Sequence, residues 1–252
     1  MTATAMPPNA ARIPWGLLTA LAVAVALVEV ALYVIAVRAP PDITLGIVQK
    51  IFYFHVGSAF AMLLCMSAGA VFSFVDLVAP SDRVDALARA AIETGLLFAA
   101  IVLTTGPLWA RKSWGVWWTW EPRLTLTLLT LLLAVAVLAI RGLAPEAATG
   151  RRVGAAMATL AAPGSYLIHI AVQKWGGTHP QVVQGGGIQS AEMRLAFWLS
   201  VAALLLLAGV FVTLRFRGLR LEQRLLALKL DLSALDLRRQ RQAARLAPNQ
   251  AQ

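Results

Sequence analysis

Charge is scarce in this chain, and negative charge most of all: 13% of its 252 residues are charged, with 12 acids against 22 bases. A soluble domain carries about 25% charged residues, so a water-facing shell around a core of this size is excluded. Cysteine is nearly absent too. Cys65 stands alone inside an apolar run, which rules out an intramolecular disulfide or a cysteine metal cluster and leaves it as a small buried side chain. The three histidines, His55, His169 and His179, do not have the spacing of a zinc site. Gly185-Gly186-Gly187 has neither a preceding strand nor a lysine, so it reads as a flexible loop and not as a phosphate cradle.

What the chain has in abundance is apolar length. Hydrophobic residues make up 59% of it, and the mean hydropathy is +0.72. Six runs are apolar on every side: Trp15–Val37, Ile51–Ala79, Leu87–Trp109, Leu124–Ile140, Val153–Val172 and Leu195–Leu214. Each is near the roughly 20 residues that cross a bilayer core, so the expected fold is an all-α integral membrane protein of six spans. The first run is too long for a signal-peptide core and reads as a retained span.

With an even number of spans, both termini share one side of the membrane. A cytoplasmic N-terminus puts fifteen Lys and Arg on that side and seven on the other. Arg215, Arg217 and Arg220 beside the sixth span, with the tail beyond them, carry the asymmetry, so both termini are expected in the cytoplasm. The net charge of +10 and the pI near 11.0 come from these loop and tail bases. They read as topology signals and as attraction to anionic lipid, not as a nucleic-acid surface.

The expected organisation is a six-span membrane domain over 1–214 and a basic cytoplasmic helical tail over 215–252. In the tail, Leu221, Leu225, Leu228, Leu232 and Leu235 recur at heptad spacing. An amphipathic helix on the inner membrane surface and a partner-binding coil account for that seam equally well. Residues after Arg245 read as a disordered end.

Five of the eight tryptophans fall between Trp109 and Trp120, and Trp114, Trp117, Trp118 and Trp120 lie in one run that continues Glu121-Pro122-Arg123. An interfacial aromatic belt and a platform for a large flat apolar ligand explain this density equally well from the residues alone. The span order puts His55, His169 and His179 near the same membrane face as the run. Neutral imidazoles from different segments can fill both axial positions of a haem iron. Within the spans, Glu29 and Glu93 are costly in hydrocarbon, so each faces the bundle interior or a partner. Pro107 and Pro163-Gly164 are expected to kink the third and fifth spans, and Pro122 suits the first turn of the fourth.

From Trp114 to Thr125 the chain resembles the tryptophan-rich WWD signature of haem-handling membrane proteins. In length and six-span layout it is similar to the CcmC family of the cytochrome c maturation system. His55, within Tyr53-Phe54-His55-Val56, stands where that family has its first haem-ligating histidine, and His179 stands where it has the second. The resemblance implies haem b held at the extracytoplasmic face of a bacterial inner membrane, with His55 and His179 as axial ligands. It implies Trp114, Trp117, Trp118 and Trp120 against the porphyrin, and delivery of haem to a chaperone similar to CcmE. The implied partners are transporter subunits similar to CcmA and CcmB and a small membrane subunit similar to CcmD. Any ATPase activity would then belong to a partner, and this chain is expected to be a haem-binding and haem-delivery subunit, not an enzyme.

Two residues of the run carry expectations of their own. Arg123 is a candidate for a propionate contact, from its charge and position. Where the family motif usually has Asp, this chain has Glu121, which moves the carboxylate about 1.5 Å further out. It either contacts haem or a partner, or serves as a helix cap or as a pair for Arg123. The alternative function is a permease subunit of an ABC-type haem exporter, whose site would lie near the bilayer midplane.

Overall fold

A computed structural model describes residues 14–43, 45–144, 146–179, 188 and 190–246. The expectations that fall on residues 1–13, on Gly185-Gly186-Gly187 and on 247–252 lie outside the described residues. The chain forms helices α1 (Trp15–Tyr33), α2 (Ile51–Val78), α3 (Asp82–Ser113), α4 (Pro122–Leu143), α5 (Ala147–Leu160), α6 (Ala162–Trp175) and α7 (Ala191–Leu246). A π turn, Val34–Arg38, prolongs α1, and a 3-10 turn, Ile47–Lys50, leads into α2. Six helical stretches are long and apolar enough to cross a membrane: Trp15–Arg38, Ile47–Val78, Asp82–Ser113, Pro122–Leu143, Ala147–Trp175 and Ala191–Ala243. The protein is thus an all-α polytopic membrane protein.

Two spans differ in detail from the sequence reading. The fifth is broken, not merely kinked: α5 ends at Leu160, and α6 begins at Ala162 with a proline in its first turn. Pro163 has no N–H to donate, so a helix restart is the conformation it disturbs least. The third behaves in the opposite way and runs unbroken through Pro107. The proline denies the carbonyl of Leu103 its helical donor, close to the site described below.

The core depends on small residues that let helices approach, as packing in lipid requires. A Cβ at Gly69 of α2 would come within 2.6 Å of the Ile92 side chain of α3. Cys65 is buried in a cluster with Ala61, Met62, Phe98, Ala99, Leu204 and Ala208, joining α2, α3 and α7. Among the residues at the end of the bundle where α2 meets α3 and α4 meets α5, ion pairs dominate. The Arg151 guanidinium donates to Asp76 at 2.5 Å and to Asp82 at 2.7 Å, and Arg141 pairs with Asp85. Deeper in the bundle Glu93 accepts from Arg89 at 2.7 Å and also pairs with Arg215 of α7. Glu93 therefore faces inward, while Glu29 is exposed on the outer surface of α1.

By its internal contacts the chain divides into a unit Ile13–Phe216, which contains all these features, and a second unit that includes the helical residues from Arg217 onward. In the latter Leu225, Leu228, Leu232 and Leu235 are exposed.

Candidate functional site

Six antiparallel passages bring the start of α2, the α3–α4 connection and the end of α6 to the same end of the bundle. There the helices enclose a cavity of about 270 Å³. His55, His169, His179, Trp109, Trp114, Trp118 and Arg123 all line it. Its deeper wall is apolar, formed by residues such as Val56, Phe60, Leu63 and Val102. The volume lies near the lower end of the roughly 300–1,000 Å³ typical of small-molecule sites.

His55 stands in the first turns of α2, and its Nδ1 lies 2.9 Å from Thr105 Oγ1 on α3. The Thr105 hydroxyl already donates to the carbonyl of Ile101 at 2.8 Å. Its proton is thereby used, so Thr105 accepts and His55 Nδ1 donates. This assigns the Nδ1–H tautomer and leaves the Nε2 lone pair free, the form in which imidazole ligates metal. Gly106 makes room for the ring, since a Cβ there would sit 3.2 Å from His55 Cε1.

His179 is carried by the segment that follows α6, and Glu121 fixes that segment. The carboxylate Oε2 accepts the Thr178 N–H at 2.7 Å, the Thr178 hydroxyl at 3.0 Å and the His179 N–H at 3.3 Å. Gly176 ends α6 with φ +73 and ψ −174, a positive-φ conformation that glycine adopts freely. At Gly177, φ is +143 and a Cβ would fall 2.7 Å from Glu121 Oε2, so only glycine lets the carboxylate in. Burial, then the charge of Arg123 and the presence of His55, push the His179 imidazole down to about 3. It is therefore neutral at pH 7, and the 3.7 Å between its Nδ1 and Glu121 Oε1 is an approach of dipole to charge, not an ion pair.

Within the chain, the Glu121 carboxylate is neither a capping group nor an ion-pair partner of Arg123. It occupies the N-cap position of α4 without a side-chain capping bond, because the carboxylate is turned toward the His179 segment. Nor does it pair with Arg123. That guanidinium instead donates to the carbonyls of Ile168 and His169 on α6, at 3.2 and 3.0 Å, and so ties α4 to α6 beside the cavity.

The tryptophans divide into two groups. Trp114 and Trp118 are half-buried and line the cavity, and Trp114 stands edge-on to the His179 ring with centroids 6.2 Å apart. Trp117 and Trp120 are 56% and 76% exposed. Trp117 lies under the Arg111 guanidinium at 6.0 Å, and Trp120 packs edge-on against Trp118 at 5.9 Å. Trp109, Thr105 and Gly177 belong to the site, although the sequence reading gave them no role. For Thr105 the available signal was Thr104-Thr105-Gly106-Pro107, a polar interruption in an otherwise apolar span.

The family model described as "Heme exporter protein C" matches residues 1–231. The chain belongs to the heme exporter protein C family. It is 28% identical to Heme exporter protein C of Escherichia coli strain K12 over 181 residues, 72% of this chain and 74% of that protein. To the protein of the same name from Bradyrhizobium diazoefficiens it is 30% identical over 202 residues, 80% of this chain and 76% of the relative. The heme exporter protein C of Paracoccus denitrificans aligns over 210 residues at 28% identity, covering 82% of this chain and 81% of its own length.

Proposed function

We infer that this chain binds haem at the tryptophan-bearing end of its bundle and hands it on for cytochrome c maturation. Membership of a family named for haem export supports haem handling as the general role. The observation that carries the specific reading is the donor set: two neutral imidazoles from different segments, His55 and His179, open into one cavity with aromatic and apolar walls. That chemistry fits a haem, which needs two nitrogen lone pairs at its iron and a dry surface for its macrocycle.

In this reading haem b is the cargo, and each residue has a separate task. His55 offers Nε2 because Thr105 fixes its tautomer. His179 is held at the cavity by Glu121 acting through the Thr178 and His179 amides. Its Nδ1 and Glu121 Oε1 are both buried without a hydrogen-bond partner among the described residues, so the carboxylate is the natural acceptor for an Nδ1–H once Nε2 serves as ligand. Trp114 and Trp118 supply the aromatic wall, while the exposed Trp117 and Trp120 face the surface where a receiving protein would approach. Among the described residues Arg123 Nη1 makes no hydrogen bond, and it is suited to a propionate at the cavity edge.

The receiver is a haem chaperone at the extracytoplasmic face of a bacterial inner membrane, and ABC transporter subunits with a small membrane subunit complete the assembly. The polar groups of the cavity gather at one end of the bundle, which favours presentation at a membrane face over a permease site at the midplane.

The test is haem titration into the purified full-length chain in detergent, followed by quenching of tryptophan fluorescence. The expected result is saturable quenching at one haem per chain that weakens at least tenfold in a His55→Ala, His179→Ala double variant. Equal quenching of wild type and double variant would overturn the reading.

A further inference from the structure

The acids that lie within the helices of the bundle are not treated alike. Asp76, Asp82, Asp85 and Glu93 each meet an arginine of another helix: Arg151 for the first two, then Arg141 and Arg215. Glu29, inside the first span, does not. It lies near the middle of the first span, Trp15–Arg38, is exposed, and has no polar partner among the described residues. The inner face of the first span, formed by Ala24, Val28, Ala31 and Ile35, packs on the core, and Glu29 points away from it. A carboxyl group facing lipid near mid-depth is costly. Acids at such positions are retained where something pairs with them.

The surroundings of Glu29 suit a helix. Ala22 and Ala26, four residues apart and both exposed, lie on the same face and would let another backbone come close. Val25, Tyr33 and Ala36 continue that exposed stripe towards both ends of the span. A second copy of α1 would set one Glu29 against another, which brings together two groups with the same need. A basic side chain supplies what Glu29 lacks, as arginine does for those four acids.

We propose that the outer face of α1 centred on Glu29 docks a transmembrane helix of another protein that carries a basic residue near mid-depth. The small residues set the close approach, and the charge pair sets register and partner choice. The surface is independent of the haem cavity and goes beyond the haem reading.

The experiment uses the full-length chain, donor-labelled and reconstituted in phosphatidylcholine vesicles, with acceptor-labelled polyleucine peptides of single-span length. One peptide has Arg at its midpoint, one has Arg displaced by two turns, and one has only Leu; a fourth is the Trp15–Arg38 segment itself. Energy transfer with the mid-Arg peptide should exceed that with the other three at least tenfold in apparent affinity. Glu29→Leu should abolish that preference, Glu29→Gln should keep part of it, and Ala26→Leu should weaken it with the carboxylate intact. Because Glu29 is exposed, Glu29→Leu should fold, and a thermal unfolding midpoint at or above wild type checks that. Equal association of the mid-Arg and all-Leu peptides, or a preference that survives Glu29→Leu, would overturn the proposal. Stronger association of the Trp15–Arg38 peptide would overturn it in favour of self-association.

Discussion

The two ends of the bundle solve the problem of polar groups in an apolar protein in opposite ways. At one end Asp76, Asp82, Asp85, Arg141 and Arg151 form a mutually paired cluster that joins α2, α3, α4 and α5. At the other, Trp109 Nε1, Ser113 Oγ, Trp118 Nε1, Thr119 Oγ1, Glu121 Oε1, Thr125 Oγ1 and His179 Nδ1 are all buried without a hydrogen-bond partner among the described residues, whereas in the ion-pair cluster only Arg141 Nη1 is so left. Buried polar groups are almost always paired in a finished core, so the first end reads as structural and the second as a surface prepared for something else.

Substitutions can break that division or sharpen it. The largest effect on stability is expected from Arg151→Ala, which leaves the buried Asp76 carboxylate without its ion-pair partner. Removing one member of a buried pair costs about 3–5 kcal/mol, visible as a fall in the thermal unfolding midpoint in detergent, with haem affinity of the surviving folded protein unchanged. A parallel loss of haem affinity would erase the distinction between the ends.

Glu121→Ala should do the reverse. Haem affinity should fall about 10- to 100-fold, the range for lost support of a metal-ligating side chain, with little change in unfolding midpoint. Glu121→Asp, which restores the acid usual in the family motif, should recover part of the loss. Thr105→Val removes the acceptor that fixes the His55 tautomer, and equilibrium haem titration should report a weakening of about tenfold that Thr105→Ser reverses. The smallest effect belongs to Trp117→Ala. Its exposed ring should leave haem affinity within about twofold, whereas Trp118→Ala, which removes a cavity wall, should cost an aromatic contact of about 0.5–1.5 kcal/mol or more. If the two tryptophans behave alike, the division into wall and outer surface is wrong.

How much of this was legible in the sequence follows from the range of each interaction. Span number and type were, because uninterrupted apolar length is a local property. The meeting of His55, His169 and the tryptophan run was also legible, since alternation of spans alone puts them at one end. The role of Glu121 was not, because it depends on Thr178 and His179, 57 and 58 residues away, and on the backbone path through Gly176 and Gly177. The direction of Glu29 was equally hidden. A helix that is apolar on every side has no polar face to reveal which side packs inward, so α1 had to be seen against α2 and α7. Pro163 and Pro107 carry the same local signal, yet one begins a new helix and the other rides within a continuous one. Neighbouring helices make that difference.

The central claim is that His55 and His179 together hold haem iron. It is tested most directly by the optical and resonance Raman spectra of haem bound to the full-length protein in its wild-type, His55→Gly and His179→Gly forms, each with and without added imidazole. The account predicts a six-coordinate, low-spin bis-imidazole spectrum in wild type, a changed coordination in each variant, and restoration of the wild-type spectrum by imidazole in both. A wild-type spectrum that persists unaltered in either variant would contradict it.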